Sequence, residues 1–279
     1  MGLVNQVALV SETERVGFDE IATVSAALQK QVMRDLAPIW EIRATVDPFA
    51  SLDDVPLGYW PLIVIDDVEG AAGVHLDKDG QPYALIEAGT SWSLTASHEC
   101  LEMLADPFGD RLVAGRSPKR SQGRVEFLVE ICDPSEDIQF AYTVNDVLVS
   151  DFYTPSFFDP VRADGVRYSF GGHLRAPRRI LDGGYLSWHD PVSDHWWQST
   201  WFSGSKPRFV DLGIFSASDP RSIREIVDSR TPTLKRLSSF SVGHTRMKDC
   251  AALQSAARSS KSAKAELWRS QIAGLTRRK

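Results

Sequence analysis

The residues best equipped for chemistry are Ser97-His98-Glu99-Cys100-Leu101-Glu102. On an α-helix, positions i and i+4 lie one turn apart on the same face, so the His98 imidazole and the Glu102 carboxylate can converge on one ion. Glu99, next to the first of these ligands, then comes within reach of a water held by that ion. This is the mechanical logic of the His-Glu-x-x-His helix of zinc peptidases, where two histidines hold the metal and the intervening glutamate is the general base. Here Glu102 stands where the second histidine would be, and a carboxylate oxygen is an accepted zinc ligand. A solvated charged helix face would carry the same pattern. The setting argues against it, because Trp92, Leu94, Leu101, Met103 and Leu104 surround the motif and make it a costly place for unpartnered charge.

A catalytic zinc site uses three protein ligands and keeps one position for water, so a third donor is required. Asp133 closes the hydrophobic run Val129-Glu130-Ile131-Cys132 and precedes Pro134, which suits a side chain pointing into a cleft. Glu130 on the same run is the substitute. Asp106, a further i+4 step beyond Glu102, can ligate or can orient His98. Zn²⁺ is the expected ion, with Ca²⁺ or another divalent cation as the alternative.

These side chains need elements to hold them. Leu3 to Val10 reads as a buried strand, and Phe18, Ile21, Ser25, Leu28, Val32 and Leu36 then recur at helical spacing up to Pro38. Ile39 to Val46 alternates as a strand should, and Pro61 to Asp66 reads as a fully buried one. Two short strands between Gly73 and Glu87 flank Asp79-Gly80, a strong hairpin signal. The motif helix follows, capped from among Thr90, Ser91 and Ser93 and ending near Asp106-Pro107. Gly115 to Gly123 is polar, basic and rich in turn formers, an exposed loop. Beyond it the chain is mostly β, with an aromatic hairpin from Tyr185 to Phe202 and a short helix between Arg221 and Arg230. Strand, helix, strand, strand, hairpin, helix is an α+β order.

The segment from Ala96 to Pro107, taken with Val129-Glu130-Ile131-Cys132-Asp133-Pro134, resembles a little-characterised group of bacterial and phage-associated zincin-like, metallopeptidase-like proteins. Those chains share a Ser-His-Glu-x-x-Glu helix ending in Asp-Pro and a downstream Glu-x-x-Asp strand. The resemblance implies a zincin-like domain over about residues 1–160, with a mixed sheet whose edge strand precedes the active helix. By the same analogy Tyr83-Ala84-Leu85-Ile86-Glu87 would be that edge, so Tyr83 and Leu85 become substrate-binding candidates through strand addition. Outside that resemblance, the residues themselves indicate a mostly β, aromatic-rich region over 161–244, on or beside the cleft, and a basic helical tail over 245–279. The function expected is metal-dependent peptide hydrolysis with Glu99 as base. The alternative is a non-catalytic zincin-fold binding or structural module, associated with a phage-like particle.

Other residues admit two readings. His75 precedes the hairpin and can reach the cleft, or can be a structural histidine. Tyr153 can donate a hydrogen bond to a transition state, or can pack. His189, His195, Asp190 and Asp194 near the aromatic turn can hold a second ion, or can form a polar turn on an aromatic core.

A chain of 279 residues, 43% hydrophobic and 24% charged, is ordinary globular material. Its net charge of −6 gives no global footprint for nucleic acid, so that partner is not expected; the lysine- and arginine-rich tail suits an acidic one. Three cysteines, an odd number, suit a reducing compartment, and the start of the chain lacks an export-signal pattern. A cytoplasmic protein without a membrane span, acting on a peptide or protein substrate, is the expectation.

Overall fold

A computed structural model describes residues 4–231, so the expected tail over 245–279 and the end of the region before it lie outside the described residues. Strand β1 (Asn5–Ser11) carries the apolar run Val7-Ala8-Leu9-Val10, buried on both faces. That pattern belongs to a central parallel strand. Helix α1 (Phe18–Gln31) follows and runs through a π turn at Val32–Leu36 into α2 (Ala37–Trp40). Pro38 therefore sits in the first turn of α2 instead of ending the helix. There the backbone has shifted register, with Ala37 N donating to Val32 O, and a proline in a first turn forfeits no needed donor. Glu41, at φ 58°, turns the chain out of the helix. Strand β2 (Ala44–Pro48) thus begins later than the Ile39 start that alternation suggests.

The chain continues through β3 (Trp60–Ile65), β4 (Gly73–Lys78), β5 (Gln81–Glu87) and α3 (Trp92–Ala105). These strands make one sheet in the order β2-β1-β3-β5-β4. Its pairings are parallel except for β4, which folds back on β5 through Asp79-Gly80. Both turn residues have positive φ, 53° and 79°, as a two-residue hairpin loop demands.

The second half supplies β6 (Leu112–Arg116), β7 (Arg124–Leu128), β8 (Tyr142–Val144), β9 (Val147–Val149), β10 (Tyr185–Asp190), β11 (His195–Thr200), β12 (Arg208–Gly213) and α4 (Ile223–Arg230). An antiparallel sheet runs β12-β11-β10-β7-β6, and it joins strands from both sides of the expected division at residue 160. The reason is packing. Phe127 and Trp188 are cross-strand partners, both fully buried, and they belong to the same apolar cluster as Val7, Leu9 and Leu62 of the first sheet. Helix α4 starts with a capping box in which Ser222 accepts from Glu225 N and Glu225 accepts from Ser222 N. The architecture is α+β, and among the described residues no helix is long and apolar enough to cross a membrane.

Candidate metal centre

Helix α3 packs on β4 and β5 with one face and on β9 with another. Nearly all of its residues are buried, so it is a core helix and its acids are not a solvated stripe. Glu99 is 3% exposed and Glu102 0%. Two features fix it in place. Ser97 Oγ donates to Gln31 Oε1 at 2.8 Å and accepts from Ser150 N at 2.9 Å, which ties α3 to α1 and to the strand leaving β9. Gly73 lets β4 come against the helix: a methyl group there would stand 2.5 Å from Thr95 Cγ2 and 2.9 Å from Glu99 Oε1.

The segment Val129 to Asp133 reaches α3 after β7 ends. Tyr153 N donates to Ile131 O at 2.7 Å and Cys132 N donates to Glu102 Oε1 at 3.0 Å, so this stretch is clamped between residue 153 and the helix. Glu130 and Asp133 are thereby delivered to the motif. His98 Nε2 lies 3.2 Å from Glu102 Oε2 and 3.2 Å from Asp133 Oδ1. That spacing is close to the edge of a tetrahedron drawn with bonds of roughly 2.0–2.2 Å. Of these three, the His98 side chain, 12% exposed, is the one that opens toward solvent.

Four groupings of donor atoms come within 4.8 Å: His98-Glu102-Cys132, His98-Asp133-Glu136, Glu102-Glu130-Asp133 and His75-Glu99-Glu102. Each offers a buried or half-buried set able to hold a metal ion. Glu99 Oε2, Glu102 Oε2, both oxygens of Glu130 and both of Asp133 lack a hydrogen bond of normal geometry. Buried carboxylate oxygens in that condition are expensive, and a cation is what relieves them.

The electrostatics carry the same strain. Burial, then the charge of Glu102 and Asp133, holds Glu130 well above the ordinary carboxylate range. Asp133 is pushed up to about 8, first by burial and then by Glu102, although His98 and the nearby Tyr185 hydroxyl pull the other way. Glu99 is raised well above its ordinary value by burial, against the pull of His98. Burial opposes a charge on His98 too, but Glu102 and Asp133 outweigh it and hold its pKa well above the usual imidazole value. The cluster is short of positive charge.

Besides His98, the cluster contains the guanidinium of Arg224 from α4. Its Nη2 is 3.5 Å from Glu99 Oε2, and its Nη1 is 3.3 Å from both Glu102 Oε2 and Glu130 Oε2. His75 on β4 is buried beside it, with Nδ1 3.4 Å from Glu99 Oε2 and Nε2 3.1 Å from Arg224 Nη1.

No family model, curated protein or solved structure matches this chain. The site therefore stands on its own geometry.

Of the residues singled out from the sequence, His98, Glu99, Glu102, Asp133 and Glu130 come together. Tyr153 joins them: it is fully buried, its ring stacks on Phe157 at 4.3 Å, and its hydroxyl is near enough to Glu130, Glu102 and Asp133 to feel their charge. Asp106 does not join. Its Oδ1 and Oδ2 accept from Asp110 N and Arg111 N at 3.2 and 2.9 Å, so it closes the turn after α3. Tyr83 and Leu85 are also displaced from their expected role. Strand β5 is second from the edge, bonded to β3 on one side and β4 on the other, and the edge strand is β4. The β4–β5 hairpin lies at the margin of the sheet, and its first arm is the outer one. Arg224 was not singled out from the sequence at all, since one arginine in a short amphipathic helix carries no signal of burial. Glu136 and Cys132 were likewise missed as donors.

Proposed function

We propose that this chain is a metal-dependent hydrolase, a zincin-like peptidase whose ion is held by His98, Glu102 and Asp133. The observation that carries the reading is the convergence of Glu102 Oε2 and Asp133 Oδ1 on His98 Nε2, at 3.2 Å each, in a buried setting where neither oxygen has a hydrogen bond of normal geometry. A divalent ion in such a place lowers the pKa of a bound water and polarises a carbonyl. Glu130 and Glu136 are the reserve donors. Glu99, beside His98 in the sequence, has its pKa raised by burial and would have it lowered again by a bound cation; it is the group assigned to take a proton from water at the centre and pass it to a leaving amine. Tyr153, buried with an unpaired hydroxyl, is suited to donate to developing negative charge. The sheet's antiparallel edge strand is β4, so strand addition by an extended peptide is proposed there and not at β5.

A second reading has its own observation. Glu99 is 3% exposed and ion-paired to both His75 and Arg224, which is how a structural carboxylate is held. In that case the chain is a zincin-fold binding module with a structural ion, Ca²⁺ included. Metal analysis of purified full-length protein beside a peptide-library digest separates the two. The peptidase reading expects near-stoichiometric zinc in wild type, loss of it in His98→Ala and Glu102→Ala, and retained zinc with lost cleavage in Glu99→Gln. Metal retained with no cleavage by wild type selects the structural module, and protein that neither carries nor takes up a divalent ion defeats both.

A further inference from the structure

The donors around α3 form two neighbouring pockets that share Glu102. One is centred on His98, Glu102 and Asp133, and the other on His75, Glu99 and Glu102. The His75 pocket has the makings of a cation site in its own right. His75 Nδ1, Glu99 Oε2 and Glu102 Oε2 are all buried without a hydrogen bond of normal geometry, and the nitrogen lies 3.4 and 3.9 Å from the two oxygens. The first separation is long for a hydrogen bond and the second is beyond one, and the three atoms lie within 4.8 Å of one another, as atoms that share a cation do.

Something already sits against this pocket. Arg224 spans it, with Nη2 on Glu99 Oε2, Nη1 on Glu102 Oε2 and Nη1 on His75 Nε2, while Nε faces Asp228 Oδ2 at 3.5 Å from its own helix. The guanidinium is buried, and α4 is anchored there: Arg224 N donates to Gly109 O at 2.9 Å, in the turn that follows α3. His75 Nε2 also lies 3.1 Å from the Asp106 carbonyl. One ring nitrogen cannot accept from a guanidinium and donate to a carbonyl together. If Nε2 accepts from Arg224, the neutral ring carries its proton on Nδ1, which then faces Glu99 and has no lone pair for a metal.

We propose that Arg224 is a built-in counter-cation that occupies one of two adjacent cation positions, so the cluster loads one divalent ion at His98, Glu102 and Asp133 and excludes another at His75, Glu99 and Glu102. Arg224 is then a positioning residue. It holds Glu99 and Glu102 by their Oε2 atoms and fixes the ion number at one. The inference rests on the metal-centre reading and goes beyond it.

The test is zinc stoichiometry, read by titration calorimetry and by elemental analysis after gel filtration, on metal-stripped full-length protein. Wild type should bind one Zn²⁺, Arg224→Met two, and the Arg224→Met/His75→Ala double variant one again, while Arg224→Lys, which keeps a cation, should stay at one. A folded Arg224→Met that still binds one ion overturns the proposal, as does a wild type that binds two and falls to one in His75→Ala. Wild type that binds none overturns the metal centre itself, which is a different result. Should Arg224→Met fail to fold, the His75 ring nitrogens of wild type, followed by NMR as zinc is added beyond one equivalent, still decide the matter. Unmoved His75 signals support the proposal, and zinc-dependent shifts beyond one equivalent overturn it.

Discussion

Among the described residues, two regions gather histidines and carboxylates, and they are built on opposite terms. Around α3, His98 faces Glu102 and Asp133 in a buried cluster where most carboxylate oxygens have no hydrogen bond of normal geometry. At the β10–β11 turn, His189 lies between Glu126 at 3.0 Å and Asp194 at 2.9 Å, and His195 pairs with Asp211 at 2.9 Å. There each imidazole has its partners, the acids that face them are open to water, and the buried Asp190 accepts from Val192 N and Ser193 Oγ to close the turn. Residue type alone does not distinguish the two. What distinguishes them is whether the charges are removed from water and left short of partners, because only that state is costly enough to demand a ligand.

The largest effect expected from this contrast is at His98. Replacing it by Ala leaves Glu102 and Asp133 buried with neither imidazole nor metal, and breaking such a buried pair costs about 3–5 kcal/mol. Urea denaturation of His98→Ala against wild type, both stripped of metal, measures it. A loss under about 1 kcal/mol would mean that the cluster is better solvated than its burial indicates.

A smaller effect, with a definite sign, comes from pH. Glu99, Glu130 and Asp133 all have their proton affinity raised on folding, Asp133 to about 8. The folded state therefore binds more protons than the unfolded one above the ordinary carboxylate pKa, and stability falls as pH rises toward 8. His98, also raised, contributes with the same sign as pH passes from the ordinary imidazole value up through its folded pKa. Glu102 is the exception: burial opposes its ionisation, but His98 and its other partners lower its pKa, so its effect falls below the ordinary carboxylate range and outside this window. Metal-stripped protein should melt at lower temperature at pH 8 than at pH 5. Zinc should reverse the trend, because it displaces the His98 proton and takes the carboxylates ionised, so the rise in Tm on adding zinc grows from pH 6 to pH 8. A melting temperature of stripped protein that climbs over this range would contradict the raised affinities.

Much of this arrangement was legible in the residues. The i, i+4 pair on a helix among apolar neighbours announced the His98–Glu102 contact, and the Asp79-Gly80 signal announced the β4–β5 hairpin. Asp133 at the end of its hydrophobic run also reached the site. The parts that were not legible depend on long-range placement. Which arm of the hairpin is outermost follows from how β5 docks on β3, and a local alternation pattern is the same either way. The joining of β7 to β10 across residue 160 depends on Phe127 meeting Trp188 in one core. Arg224 comes from α4, far along the chain from His98, and its surroundings exist only once α4 has docked. Pro38 misled because proline ends a regular α-helix, whereas here it follows a π turn and sits in the first turn of α2.

The smallest effect should appear at the hairpin, where the contrast is most easily broken. Removing His189 forfeits two partly exposed ion pairs and its stacking on Trp196 at 5.4 Å. Exposed pairs contribute little, so His189→Ala should change stability by no more than roughly 1 kcal/mol and leave zinc content untouched. Burial opposes a charge on His189, but Glu126 and Asp194 raise its pKa above the ordinary imidazole value, so the paired state contributes fully below that value and fades as pH rises through the folded pKa. The cost of His189→Ala should therefore be greater at pH 6 than at pH 8, and salt should reduce it. Denaturation curves at the two pH values, beside zinc analysis of the same samples, measure both quantities. If His189→Ala costs as much as His98→Ala, or strips zinc from the protein, burial is not what separates the two clusters and the case for a metal centre at α3 loses its ground.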